Sequence, residues 1–341
     1  MLRVAINGYG RIGRSVLRAL YEGHYRNTIK IVAINELSDL ETISYLTRYD
    51  TTHGRFSETV TVSRDKLIVD GDEIQILNGA QATDVDWPLL DIDLVLECSG
   101  SCSTRTQAQT YIDAGVPRML LSQPASADVD ETIVYGFNHN KINAEHQIIS
   151  AASCTTNCLI PVLASLKSLA GVKCGTTQTI HSAMNDQPVI DAYNNKNLRL
   201  TRAALSSIIP VDTGLAKGIS RLLPELEGKM ACNAVRVPTL NVSVIDMVVS
   251  THDVVTVEQV NQYFQQASLF QYAGLIGYSE EVHASVDFNH DARSVIIDAT
   301  QTKVVDGHLV KLLCWFDNEW AYANRMLDVA QYWSQVITSK K

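Results

Sequence analysis

The sequence predicts a two-domain α/β protein: a parallel-sheet α/β domain, then an α+β domain with a mainly antiparallel sheet. Three observations carry that expectation. The length of 341 residues favours two domains, or one large one with insertions. The first 150 residues alternate short β-branched runs with helical segments, the pattern of a parallel sheet. From about residue 153 the strands lengthen and alternate polar with apolar, which suits an antiparallel sheet covered on one face.

Taken in order, Arg3 to Asn7 reads as a first strand and Arg11 to Glu22 as a helix with Ile12, Val16, Leu17 and Leu20 on one face. Lys30 to Asn35 is a second strand, and Asp93 to Cys98 a fully buried one. Arg118 to Ser122 and Thr132 to Tyr135 extend the sheet. Val60 to Ile76, with Asp70-Gly71 in its middle, reads as an appended antiparallel hairpin. In the second half, Val235 to Val237, Val242 to Ser250 and Ser294 to Asp298 read as strands, and Thr256 to Ser268 as a helix. Gln187 to Ile209 lacks periodicity, and a loop that long inside a compact domain is usually functional. Asn318 to Ile337 reads as a long amphipathic helix.

Composition narrows the function. Hydrophobic residues at 46% against charged residues at 19% give ample core and exclude disorder. Lys plus Arg is 28 and Asp plus Glu 37, a net charge of −9, and a field of that sign argues against nucleic acid or an anionic membrane as partner. A phosphate-bearing ligand must then be captured by local arginines and helix N-termini. No run approaches the roughly 18 apolar residues of a membrane span. The chain enters its first strand with no signal peptide, and its seven scattered cysteines read as thiols of a reducing cytoplasm.

Gly8-Tyr9-Gly10-Arg11-Ile12-Gly13 matches G-x-G-x-x-G. Glycines at this spacing also occur by chance, but here they follow a strand and open a helix. That is the Rossmann dinucleotide context. Gly8 permits the tight turn, Gly10 lets a pyrophosphate reach the backbone, and Gly13 lets helix and strand pack closely. The N–H groups at the helix start hold the phosphates. Glu36 stands 23 residues after Gly13, where an acid bonds the ribose 2′-hydroxyl and repels the extra phosphate of NADP, so NAD is the expected cofactor. The competing reading makes Glu36 a cap of the next helix.

Ser153-Cys154-Thr155-Thr156-Asn157-Cys158 lies between two apolar runs, which places Cys154 at a helix N-terminus, where the helix dipole is expected to lower its pKa. Cys158, one turn on, reads as a structural thiol. As a metal pair the two lack further ligands, so no metal is expected. The matching base is His181, ending the run Thr176 to Ile180. A lone strand-end histidine is usually structural; the cysteine and the arginine-bearing loop after it argue for catalysis. His24, His139 and His146 read as surface residues, and His290 as a weaker rival base.

These residues resemble the glyceraldehyde-3-phosphate dehydrogenase family along essentially the whole chain. The match rests on Asn7 to Arg14, Tyr49 to Gly54, Ser153 to Cys158, Arg236 to Thr239 and Asp317 to Trp320. The resemblance implies an NAD-binding Rossmann domain over 1–152, with the helix 318–341 returning to pack on it. A catalytic and oligomerisation domain would span 153–317. It implies Cys154 as nucleophile and His181 as its activator, with Gly8, Gly10, Arg11, Ile12, Gly13 and Glu36 on the cofactor. Asn318 would fix the nicotinamide carboxamide and Tyr322 lie near the ring. Ser153, Thr155, Arg199, Arg202, Thr213, Gly214 and Arg236 would hold substrate anions. It further implies a homotetramer, the 187–209 loop reaching a neighbour's cofactor.

The chain departs from the phosphorylating glycolytic members. Met184 stands where a threonine is usual, and Leu200 where an arginine is. Val211-Asp212 precede Thr213, and Asn78 to Gln81 lack the basic residue expected near the adenine. The run His181 to Gln187 with Val189 to Tyr193 is similar to the erythrose-4-phosphate branch, which makes 4-phosphoerythronate for pyridoxal 5′-phosphate synthesis. Losing a hydroxyl and a guanidinium and gaining a carboxylate weakens capture of free phosphate. Water is then the expected acyl acceptor, with phosphorylating glyceraldehyde-3-phosphate dehydrogenase as the alternative. A catalytically silent scaffold or RNA-binding protein on the same fold is disfavoured by the intact Cys154 and His181 and by the acidic balance.

Overall fold

The computed structural model of the chain describes residues 1–195 and 197–339. Two compact units emerge: Met1–Ser153 with the C-terminal segment from Tyr322, and Cys154–Ala321.

The first unit is built on a nine-stranded sheet. Its centre is the parallel set Leu94–Glu97, Leu2–Asn7, Ile29–Asn35 and Asp72–Leu77. The first three of these strands are mainly apolar because a parallel sheet is covered on both faces; Val4, Ala5, Ile6, Ala33 and Val95 have no exposed surface. The helix Arg11–Glu22 buries Val16, Leu17 and Leu20, one stripe at helical spacing. Within the same unit the C-terminal segment ties to the first crossover: Tyr25 Oη donates to Asp328 at 2.9 Å, and Gln331 Nε2 to Thr28 Oγ1 at 2.8 Å.

The second unit holds an eight-stranded, mainly antiparallel sheet. At its centre Val172–His181 pairs antiparallel with Ser243–Thr251, which pairs antiparallel with Leu309–Phe316. Val172–His181 also runs parallel to Met230–Arg236, and that register sets His181 opposite Arg236. The helix Val257–Leu269 starts at a Thr256–Gln259 capping box.

Four expected elements are corrected. The Val60 to Ile76 hairpin is a three-stranded meander, Val60–Ser63, Lys66–Val69 and Asp72–Leu77. Asp70-Gly71 makes one turn, as its residues predict. The other passes through Arg64 at φ 56, a left-handed position without glycine to signal it. The strand at Thr132 is only Glu131–Thr132, because Asn138 takes over as backbone partner: its Oδ1 accepts from Val134 N–H and its Nδ2 donates to Thr132 O, both at 2.8 Å. Val242, at φ 63, lies outside its strand, which begins at Ser243. The final helix starts at Trp320, not Asn318, because the Asp317 carboxylate accepts the N–H groups of Glu319 and Trp320 at 2.9 and 2.7 Å.

Candidate functional site

In the first unit each glycine of the motif meets a different demand. Gly8 has φ +86, and a Cβ there would lie 2.4 Å from Ser99 Cα. At Gly13 a Cβ would lie 2.3 Å from the Gly8 carbonyl oxygen, so helix and loop touch through that missing side chain. Gly10 is the reverse, with nothing within 4 Å of its Cβ position. That open face beside the start of helix Arg11–Glu22, whose first-turn N–H groups have no intrahelical acceptor, fits a pyrophosphate.

Glu36 is held by this loop, accepting Tyr9 N–H and Leu37 N–H, each at 2.8 Å. The cap of the next helix is Asp39, which accepts Thr42 N–H at 2.8 Å, so Glu36 has no capping role. Arg11 sends its guanidinium to Asp50 in a two-point pair, the second contact at 3.1 Å. Its side chain is therefore a brace of the loop. Asn78 Nδ2 donates to Glu36 O at 3.0 Å, placing that uncharged residue in the region where a base was expected. Tyr322 is buried, and its hydroxyl donates to Ala152 O at 2.8 Å. Ala152 itself sits at φ 59, strained for a residue with a Cβ.

In the second unit Cys154 is the first residue of the helix Cys154–Ala170. Its Sγ lies 3.7 Å from His181 Nε2 and 3.9 Å from Thr155 Oγ1. His181 Nδ1 lies 2.8 Å from Ser182 O. A carbonyl only accepts, so Nδ1 carries the proton, and in the neutral ring Nε2 is the acceptor facing the thiol.

Electrostatics corrects one expectation. Burial pushes the Cys154 thiol up to about 11, against the opposing hydrogen bonds of Thr155. The helix N-terminus does not leave a standing thiolate in this structure. Burial likewise holds the His181 imidazolium below its ordinary range, against the Ser182 carbonyl that favours it. The resting pair is thus thiol and neutral imidazole. His290, the rival base, is stacked on the Trp320 ring at 3.6 Å. His139 is no surface residue: it is half-buried between Tyr135 and Tyr332. Cys158 is fully buried, and the described residues contain no group of three or more metal-ligating side chains.

Asn318 joins this site by a route the sequence does not display. Its Oδ1 accepts from the hydroxyls of Ser182 at 3.0 Å and Ser243 at 2.8 Å, which turns its Nδ2 donors away from both serines. Ser182 also donates its N–H to Ser243 Oγ at 3.1 Å, so one buried serine orients both His181 and Asn318. A serine after a histidine carries no pattern that would single it out. Arg236 is in register beside His181 and pairs with Asp186 at 2.5 Å, another residue the motif reading missed. Arg199 and Arg202 are both exposed, Arg202 paired with Asp191 at 3.2 Å. Thr213 and Gly214 open the helix Leu215–Leu222, with Thr213 Oγ1 accepting Leu215 N–H at 3.2 Å. Thr156 and Gly218 are close enough that a Cβ on Gly218 would lie 3.3 Å from Thr156 Oγ1, so the first turns of these two helices pack together.

Two family models match the chain. Glyceraldehyde 3-phosphate dehydrogenase, NAD binding domain, matches residues 2–105; glyceraldehyde 3-phosphate dehydrogenase, C-terminal domain, matches residues 153–318. The chain belongs to the glyceraldehyde-3-phosphate dehydrogenase family. It is therefore an NAD-dependent oxidoreductase that acts on a phosphorylated aldehyde, with a Rossmann-type first domain. The open face at Gly10 and the loop-held Glu36 suit the NAD of this family. No helix among the described residues is long and apolar enough to cross a membrane.

Proposed function

We propose that the protein oxidises D-erythrose 4-phosphate to 4-phosphoerythronate through a thioester on Cys154 that water hydrolyses, supplying pyridoxal 5′-phosphate synthesis. The observation that carries the chemistry is the Cys154 Sγ to His181 Nε2 contact of 3.7 Å, with Nδ1 anchored on Ser182. Sulfur attack on the aldehyde carbon forms the S–C bond as Nε2 takes the thiol proton. Returning that proton to the carbonyl oxygen gives a hemithioacetal. His181 then removes the hydroxyl proton while the C–H bond gives up hydride, which leaves the thioester. NAD, when bound, supplies the hydride acceptor. His181 passes that proton to solvent, and the neutral ring then deprotonates water as it adds to the thioester; the C–S bond breaks and the sulfur takes the proton back from His181. Asn318 Nδ2 would orient the nicotinamide carboxamide, and Arg236, Thr213, Gly214, Ser153 and Thr155 would receive the phosphate. Tyr322, its hydroxyl spent on Ala152, would shape the ring's surroundings.

Water is favoured as acyl acceptor by what surrounds the anion-binding residues. Met184 and Leu200 offer no donor, Asp212 adds an exposed carboxylate beside Thr213, and Asp186 already occupies Arg236. The exposed apolar side chains Val189, Ile190, Tyr193, Leu198, Leu205 and Ile208 on one loop support self-association, which we assign as a homotetramer. The seven free thiols suit a reducing cytoplasm. The test is the rate of NADH formation with erythrose 4-phosphate and with glyceraldehyde 3-phosphate, each with and without inorganic phosphate. Turnover of erythrose 4-phosphate without phosphate is expected. A strict phosphate requirement with preference for glyceraldehyde 3-phosphate would replace the reading with the phosphorylating one.

A further inference from the structure

The carboxyl-terminal ends of three adjacent strands in the first unit carry a buried chain of polar side chains that the chemistry above does not use. Glu97, Asn7 and Asn35 end the strands Leu94–Glu97, Leu2–Asn7 and Ile29–Asn35, and are exposed by 1%, 4% and 7%. Glu97 Oε1 accepts Ser99 N–H at 2.9 Å and the Ser99 hydroxyl. Its Oε2 accepts from Asn7 Nδ2, which also donates to Tyr111 Oη at 3.1 Å. Asn7 Oδ1 accepts from Asn35 Nδ2 at 2.7 Å. Asn35 Oδ1 accepts Gly79 N–H at 2.8 Å, and its Nδ2 also donates to Gly79 O at 2.9 Å.

We propose that Glu97 is a positioning residue for the cofactor: through Asn7 and Asn35 it fixes the glycine loop and Glu36 in the geometry that binds NAD. Each member lies next to a cofactor-facing element. Asn7 precedes Gly8, Asn35 precedes Glu36, and Ser99 is the residue whose backbone Gly8 packs against. Backbone bonds run alongside, Gly8 N–H to Asn35 O at 2.9 Å and Cys98 N–H to Asn7 O at 2.7 Å. The polarity of the chain is forced from both ends. Gly79 N–H can only donate, so Asn35 must present oxygen to it and nitrogen to Asn7. Asn7 then presents nitrogen to residue 97, which must accept there and again from Ser99 N–H. A carboxylate meets both demands, whereas a glutamine accepts at one end only and deprives either the buried Asn7 amide or the Ser99 N–H of its acceptor.

The inference is tested by a polarity swap read by NAD titration. Glu97→Gln is expected to raise the Kd for NAD roughly tenfold, the effect of losing one hydrogen bond to a charged group. KM for NAD should rise with it, while kcat at saturating NAD stays within about twofold. The double variant Glu97→Gln with Asn7→Asp moves the acceptor-only group one place along. The amide introduced at position 97 can donate to the carboxylate introduced at position 7, which still accepts from Asn35. This variant is expected to recover NAD affinity to within about threefold of wild type. A purely structural role would lower the melting temperature of both variants and leave KM and kcat unsplit. Wild-type NAD affinity in Glu97→Gln would overturn the proposal, as would a double variant that binds no tighter than the single one. Should Glu97→Gln fail to fold, the double variant decides alone: near-native affinity supports the assignment, and unfolding or weak binding refutes it.

Discussion

Gly10 and Gly13 lie three residues apart in one motif, yet the structure assigns them separable tasks, and alanine at each should divide stability from binding. At Gly13 the new Cβ would lie 2.3 Å from Gly8 O and 3.2 Å from Ile6 Cγ2, where ordinary contact begins at 3.4 Å. Gly8 O must therefore move by about 1 Å or the helix must lift from the sheet, an overpacking cost of about 2–3 kcal/mol. For a chain of 341 residues that lowers the melting temperature by roughly 3–4 °C. At Gly10 the Cβ meets nothing within 4 Å, and φ −74° with ψ −154° is open to alanine. Stability should change by less than about 1 kcal/mol, the difference between glycine and alanine at an N-cap. The methyl would, however, stand where the pyrophosphate must reach the helix N–H groups. Losing two such charge-assisted bonds costs about 3 kcal/mol, or roughly a hundredfold in Kd for NAD. Thermal unfolding without cofactor and titration of tryptophan fluorescence with NAD measure the two effects. A Gly10→Ala protein that binds NAD as tightly as wild type would refute the assignment of that open face.

Cys154→Ala is expected to abolish aldehyde oxidation while leaving NAD binding within about twofold, checked by NADH formation and cofactor titration. Because burial lowers the His181 pKa, the neutral base persists as pH falls. The acid limb of kcat/KM should therefore lie below the ordinary imidazole value of about 6.5, and a limb above it would contradict the buried, neutral ring. Because burial raises the Cys154 thiol to about 11, activity should keep rising above neutrality, and iodoacetamide labelling of the protein without ligands should accelerate steeply with pH. For Asp50, burial alone would raise the carboxyl, but the Arg11 pair and the His53 and Thr52 N–H groups outweigh it and hold the group well below its usual 3.8. A depressed folded-state pKa stabilises above the unfolded value and is lost as pH falls through the folded one. Asp50→Asn should thus cost roughly 2 kcal/mol at neutral pH, a deficit that narrows only below about pH 4 in acid-unfolding curves.

Much of the site was legible because its residues are adjacent in sequence or obey a turn's geometry. The glycine motif is read from backbone requirements alone, and each requirement has a counterpart in the space around Gly8, Gly10 and Gly13. Cys154 at a helix start follows from an apolar run, a small-residue turn and a second apolar run. The missed parts share a different property. Ser182 and Ser243 lie 61 positions apart and meet Asn318 from 136 and 75 positions away, and no local pattern marks either serine. The same holds for Asp186 against Arg236 and for Glu97 against Asn7.

Sequence alone determined the fold class and the cofactor type and proposed a nucleophile and its base, because periodicity, turn chemistry and short motifs are local. Only tertiary structure decided which protonation states those groups rest in. Helix position argued for a thiolate at Cys154, but desolvation depends on what surrounds the sulfur in three dimensions, and burial prevailed. Tertiary structure also decided which nitrogen of His181 faces the sulfur, since that follows from the Ser182 carbonyl at 2.8 Å. Proton placement is a property of the assembled environment, and no spacing along the chain encodes it.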